Sequence, residues 1–296
     1  MTDARILDRS YRSYDGPRSG VIGAMRTVTL HSMRHALGIK RRHGAKVFPV
    51  LTILLAYVPA VVFVGMVALF KDFAIRENAL PTYAEYFGFI SAAIFIFSSF
   101  VTPELLCPDR RSGLLGMYLA SPLDRNTYLV SKAAAVTAIM SILTIGPLLL
   151  MMLSYTILGQ GPDSPLHWLI TLLRIIAGGL CVAGLHTSLS FAIASTTTRK
   201  AAASAVTILV IVGSAGIANV LVFGADQSVY IQLFNFLRLP FESVLRIFGE
   251  RTQSNDRRGI RLNEIPAAVT IGANVAWTFA FAAFVWLRYR KIQVTR

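Results

Sequence analysis

Residues Glu104 to Lys132 read ELLCPDRRSGLLGMYLASPLDRNTYLVSK. This is a polar, charged interruption between two long apolar segments. It holds adjacent arginines, a glycine, a short apolar patch, a proline and then a new helix start. On either side the chain is apolar in blocks of about 20 residues, the length at which a helix crosses a bilayer core of roughly 30 Å. Six such spans surround the interruption, and none carries an obvious reaction centre.

Composition agrees with that pattern. Of 296 residues, 54% are hydrophobic and 15% charged, and the mean hydropathy is +0.58. A soluble domain of this length is far more polar, so the chain reads as an all-α integral membrane protein. The net charge of +14 does not imply nucleic acid, because the cations sit in the loops and tails between spans. Cys107 lies in the interruption and Cys181 inside an apolar span, so a disulfide framework is not expected. The first 45 residues are basic and mixed, without the apolar core of a signal peptide.

Residues 1–46 read as a tail followed by an amphipathic helix. YRSYDGPR, from Tyr11 to Arg18, suggests a solvated tail with a turn at Asp15-Gly16-Pro17. From Val21 to Ile39, Val21, Met25, Val28, Ala36 and Ile39 share one side, away from Arg26, His31 and Arg34. Such a helix lies in the membrane interface. Lys40, Arg41, Arg42, His43 and Lys46 follow as a collar for anionic headgroups. The transmembrane domain then covers 47–296. Its spans fall at about 47–70, 86–106, 128–158, 166–193, 201–223 and 265–287, with a bend expected at Gly146-Pro147 in the long third span.

Cation positions orient the bundle. Twenty lysines and arginines fall on the side that holds both termini and the Glu104–Lys132 stretch, and eight on the other; Arg174 lies inside a span. The positive-inside rule makes the first side cytosolic, as in a multi-pass protein of the cytoplasmic (inner) membrane. Glycines at 178, 179, 184, 213 and 216 suit close helix packing. Arg174 reads either as a contact for an anionic group on a substrate path or as a snorkelling side chain. His186 reads as a packing residue rather than a proton carrier. In the outer loop, 224–264, the apolar run VYIQLFNFLRLPFESVLRIF (Val229 to Phe248) is too broken for a span. It suggests two amphipathic re-entrant helices broken at Pro240.

Within the interruption, Ser121-Pro122-Leu123-Asp124 has a helix-start signature, with Ser121 as N-cap and Pro122 in the first turn. Upstream, Leu114, Leu115, Tyr118 and Leu119 form a small apolar face after Gly113, flanked by Asp109, Arg110 and Arg111. Two readings remain open on the pattern: a knob that docks into a cytosolic partner, or an ordinary loop lying on the membrane.

DRRSGLL…LASPLDRNTYLVSK, from Asp109 to Lys132, resembles the cytosolic loop of type-2 ATP-binding-cassette exporter permeases. The matching positions are Asp109, Arg110, Arg111, Gly113, Leu114, Leu119, Pro122, Leu123, Arg125, Tyr128 and Lys132. Leu115 and Gly116 depart from the family, which often has an acidic residue there. The resemblance implies an elbow helix, six spans, cytosolic termini and a coupling helix in the 107–127 loop that meets an ATPase subunit. It assigns ATPase coupling to Glu104, Asp109, Arg110, Arg111, Gly113, Leu114, Leu115, Tyr118, Leu119, Pro122, Arg125 and Lys132. The implied partners are a cytosolic ATPase subunit carrying ATP and magnesium, a second permease subunit, and the bilayer.

The chain itself has no G-x-x-x-x-G-K-[ST] phosphate loop, no H-E-x-x-H and no G-x-S-x-G. No catalytic residue, metal ligand or cofactor of its own is therefore expected. Two other classes stay open on the residues: an ion-coupled carrier, for which Glu104 is the single carboxylate candidate, and a non-transporting membrane anchor or assembly subunit.

Overall fold

The computed structural model describes residue 16 and residues 20–39, 43–70, 80–119, 121–252 and 257–291. The Tyr11–Arg18 motif, apart from Gly16, and the collar residues Lys40, Arg41 and Arg42 lie outside them. Every regular element among the described residues is helical. In chain order the α-helices are α1 (Gly20–Ala36), α2 (Val47–Leu69), α3 (Tyr83–Phe89), α4 (Ser91–Ile96), α5 (Pro103–Arg111) and α6 (Leu114–Leu119). Then come α7 (Arg125–Thr144), α8 (Gly146–Ile157), α9 (Pro165–Ala194), α10 (Lys200–Asn219), α11 (Leu239–Phe248), α12 (Arg257–Leu262) and α13 (Ala267–Lys291). Among the described residues six stretches are long and apolar enough to cross a membrane: 47–69, 91–111, 125–157, 165–194, 200–224 and 267–291.

The second span is the most enclosed of the six. Pro103 has no N–H to donate, and a π-helical stretch, Phe97–Val101, precedes it. Such a stretch leaves backbone groups seeking partners in a medium without water. The Ser190 hydroxyl, from the fourth span, donates to the Ser98 carbonyl at 2.7 Å. The helix then continues past residue 106 to Arg111, so the charged start of the quoted stretch is still helix and still packed.

The third span breaks at Ile145, between α7 and α8, where Gly146-Pro147 stands. The Tyr57 hydroxyl donates to the Ile142 carbonyl at 3.0 Å, supplying one group that the break leaves open. Gly179 lets the fourth span approach at this point: a Cβ there would collide with Ile145 Cγ1. The fourth span is the axis of the bundle, packed by the third, fifth and sixth spans and by α11.

α1 lays Val28, Ser32 and Ala36 against the third span, with Arg26, His31 and Arg34 outward. Val21 and Ile39, expected on the same apolar side, are exposed. In the outer loop the first apolar piece is a 3-10 segment, Val229–Phe234, and only the second is an α-helix. Pro240 sits in the first turn of α11, where its missing N–H costs nothing, so it opens that helix instead of breaking it. Gly249 closes α11 in the left-handed region at φ +79°.

Candidate functional site

The quoted stretch folds into four pieces: the end of the second span, a six-residue helix, a turn, and the start of the third span. Gly113, at φ +69°, makes the bend from α5 into α6. The Ser121 hydroxyl bonds back to the Tyr118 carbonyl at the end of α6. The N-cap of the third span is Asp124, which accepts from the Thr127 N–H at 2.7 Å, while the Thr127 hydroxyl accepts from the Asp124 N–H at 2.9 Å. This corrects the helix start expected at Ser121-Pro122. A carboxylate at 124 faces a threonine three residues on, and that reciprocal pair outcompetes the serine upstream. The Thr127 hydroxyl, 2.6 Å from the Asp124 carboxylate, and the Thr127 N–H together hold the Asp124 carboxyl below the usual carboxylate range.

Of the charged residues, Glu104, Asp109 and Arg110 tie spans together, while Arg111 is exposed. Asp109 and Lys132 are both buried and pair at 2.7 Å, joining the second span to the third. The Tyr128 hydroxyl donates to the same carboxylate oxygen at 2.8 Å. The Lys132 ammonium also lies 5.5 Å and 5.7 Å from the ring centres of Tyr118 and Tyr128. Tyr289 of the sixth span is buried beside them, its ring 6.4 Å from that of Tyr128. Burial and the Asp109 charge push the Tyr118 phenol above its ordinary pKa.

Arg110 reaches the C-terminal end of the fourth span. Its Nη1 donates to the carbonyls of Ala194, Ser195 and Thr197. Arg288 of the sixth span donates to Ser195 at 2.7 Å and to Thr196 at 3.4 Å. The last carbonyls of a helix lack intrahelical partners and carry its negative dipole end, so two guanidinium groups there satisfy both. Glu104 pairs with Lys200 of the fifth span at 2.6 Å. Arg125 donates to the Arg290 carbonyl at 2.7 Å. One end of the second span is thus bonded to the third, fourth and fifth spans, and shares its carbonyl partners with the sixth.

The apolar face divides. Tyr118 and Leu119 are half-buried against the core. Leu114 and Met117 face out at 37% and 71% exposure. Nothing is described of the Leu115 side chain. Arg111 and Pro122 are exposed. Met117, which sequence reasoning passed over, is the most exposed apolar group among the described side chains of α6. Tyr289, Lys200 and Arg288 were also missed as partners: each lies far from the stretch in sequence, and no local pattern links them to it.

Arg174 and His186 are not brought together. Arg174 Nη1 donates to the Phe248 carbonyl at 3.0 Å, capping α11. This backbone contact was not among the roles the sequence suggested for it. His186 is buried, with Nδ1 3.0 Å from the Val182 carbonyl and its ring 6.3 Å from Phe241. Its polar atom is satisfied within its own helix, which fits a packing residue. Among the described residues no group of three His, Cys, Asp or Glu is placed to hold a metal ion.

These features define a class: a multi-pass helical membrane protein whose spans are bonded to one another at the cation-rich end. The family model described as ABC-2 family transporter protein matches residues 64–287. The chain belongs to that family, and is the membrane permease component of an ABC transporter, a class that works with an ABC ATPase subunit. No curated protein matches it.

Proposed function

We propose that this permease is driven through α6, acting as a coupling helix that seats in a cleft of a cytosolic ATPase subunit. One observation carries the reading: α6 presents Leu114 and Met117 outward while its base, α5, is bonded into the other spans at Asp109, Arg110 and Glu104. A push on α6 then moves the bundle's end as a block rather than bending a loop. ATP and magnesium bind in the partner, and this chain forms the export path. Both termini lie in the cytosol at the inner membrane, and α1 is the interfacial elbow.

A second permease subunit completes the path. The fifth span supports this: Leu209, Val212, Ile217 and Val220 are exposed, and at Gly213 and Gly216 no atom lies within 4 Å of where a Cβ would stand. Small residues with open space beside them allow close approach of another helix.

The test is a pull-down of the ATPase subunit by wild type and by the double variant Leu114→Asp, Met117→Asp. Charge placed in an apolar seat must be desolvated without a partner. The expected result is loss of the ATPase with membrane insertion intact. Retention of the partner at wild-type level, with transport preserved, overturns the coupling reading.

A further inference from the structure

Between the third, fourth and sixth spans lies an apolar slot of about 440 Å³, partly open to the outside of the bundle. That volume is in the range of ligand-sized cavities. Its floor is the close crossing of Gly184 on Thr278, where a Cβ on the glycine would lie 3.4 Å from Thr278 Cγ2. Its mouth is Asn126 and Trp286. From Thr278 to Trp286 the sixth span rises ~12 Å, close to the ~15 Å that one leaflet contributes to the core. The Thr187 hydroxyl is buried, lines the slot and has no hydrogen-bond partner.

The mouth opens onto a polar recess lined by Asp124, Arg125, Asn126, Trp286 and Arg290. Trp286 Nε1 donates to Asn126 Oδ1 at 3.0 Å, and the Arg290 guanidinium stacks 4.7 Å from the Trp286 ring centre. A tryptophan at this level marks a membrane–water interface. Asp124 is engaged by Thr127. Neither Arg125 nor Arg290 pairs with a carboxylate among the described residues. The recess thus has two arginines against one committed carboxylate.

We propose that this slot and recess bind one anionic diacyl phospholipid, with an acyl chain in the slot and the phosphate at Arg125 and Arg290. The site does not depend on the coupling reading; only the naming of its leaflet as the cytosolic one follows from the orientation proposed above.

The test uses the full chain in nanodiscs of phosphatidylglycerol or of phosphatidylcholine, with retained lipid counted by native mass spectrometry after detergent transfer. Wild type is expected to retain phosphatidylglycerol in preference to phosphatidylcholine. A cation near an anionic surface strengthens attraction roughly fivefold, so Arg125→Ala, Arg290→Ala is expected to lower that preference by about tenfold or more. Ala282→Trp, which fills the slot from its open side, is expected to abolish retention of both lipids. Equal retention of the two lipids by wild type overturns the proposal, as does an unchanged preference in the double variant. So does displacement of the lipid by millimolar inorganic phosphate, which would make the recess a free-anion site. A photo-crosslinker at position 282 that captures a second copy or another chain, rather than lipid, overturns it too.

Discussion

The two ends of the bundle are held in different ways. At the Glu104–Lys132 end the polar bonds run between spans: Asp109 to Lys132, Arg110 and Arg288 to the end of the fourth span, Glu104 to Lys200. At the other end most run within the 224–264 loop itself. Arg238 pairs with Glu242, Thr252 donates to Glu242, Arg246 bonds Leu262 and Asn263, and Arg261 bonds Asp226 and Gln227. One end is a cross-braced block and the other a self-contained cap. A device moved from the braced end transmits displacement to every span it braces. A cap held mainly by its own bonds can shift without unmaking the bundle.

The largest expected effect comes from cutting the deepest brace. Asp109→Ala leaves the Lys132 ammonium buried without its partner, and breaking a buried pair from one side costs about 3–5 kcal/mol. Tyr128 also loses its acceptor. Replacing both charges, Asp109→Leu with Lys132→Met, removes the uncompensated charge and is expected to recover most of the loss. Thermal unfolding in detergent measures both. A single variant within about 1 kcal/mol of wild type would show that the pair is not a brace.

A middle effect comes from the bond that ties the cap to the fourth span. Arg174→Ala removes the cation at the end of α11, which is expected to cost about 1 kcal/mol. Arg174→Lys keeps the charge but not the planar fork, and should recover part of it. Both variants are expected to retain the ATPase subunit on pull-down. Loss of ATPase binding by Arg174→Ala would mean that the two ends are not mechanically separate.

Much of this was legible in the residues. The six spans follow from apolar runs whose length matches the bilayer, and the break at Gly146-Pro147 from a missing N–H. Asp109 and Arg110 were not legible as internal, whereas Arg111 is exposed as a loop cation is expected to be. Adjacent charges in a loop look solvated, and nothing local shows that Arg110 meets the carbonyls of Ala194, Ser195 and Thr197, or that Lys132 turns inward onto Asp109. The contact of Arg174 with α11 was hidden for the same reason. Its partner, the Phe248 carbonyl, is a backbone atom, and backbone acceptors leave no trace in side-chain chemistry. The helix start at Asp124 was readable in principle, since the carboxylate and Thr127 have capping-box spacing. Ser121-Pro122 was the louder signal.

The smallest expected effect concerns Glu250, where the cap meets the start of the second span. Its carboxylate accepts from the Thr82 hydroxyl at 2.8 Å. Burial pushes its pKa up; the Thr82 bond opposes this, the Glu85 carboxylate adds to it and Arg174 opposes it. The folded state therefore holds the proton more tightly than the unfolded one. The stabilisation this gives is fully present below the unfolded pKa, near 4.3, and is lost as pH rises through the higher folded value. At neutral pH the ionised group is a small burden on the cap. Glu250→Gln keeps an oxygen that can accept from Thr82 and removes the charge. It is expected to raise stability at pH 7 by less than about 1 kcal/mol, the group being only half-buried, and to leave stability at pH 4 unchanged. Unfolding midpoints of wild type and variant across that range decide it. A variant less stable at pH 7 than wild type would mean that the Glu250 charge, held by Arg174, supports the cap, and that this end too is braced across elements.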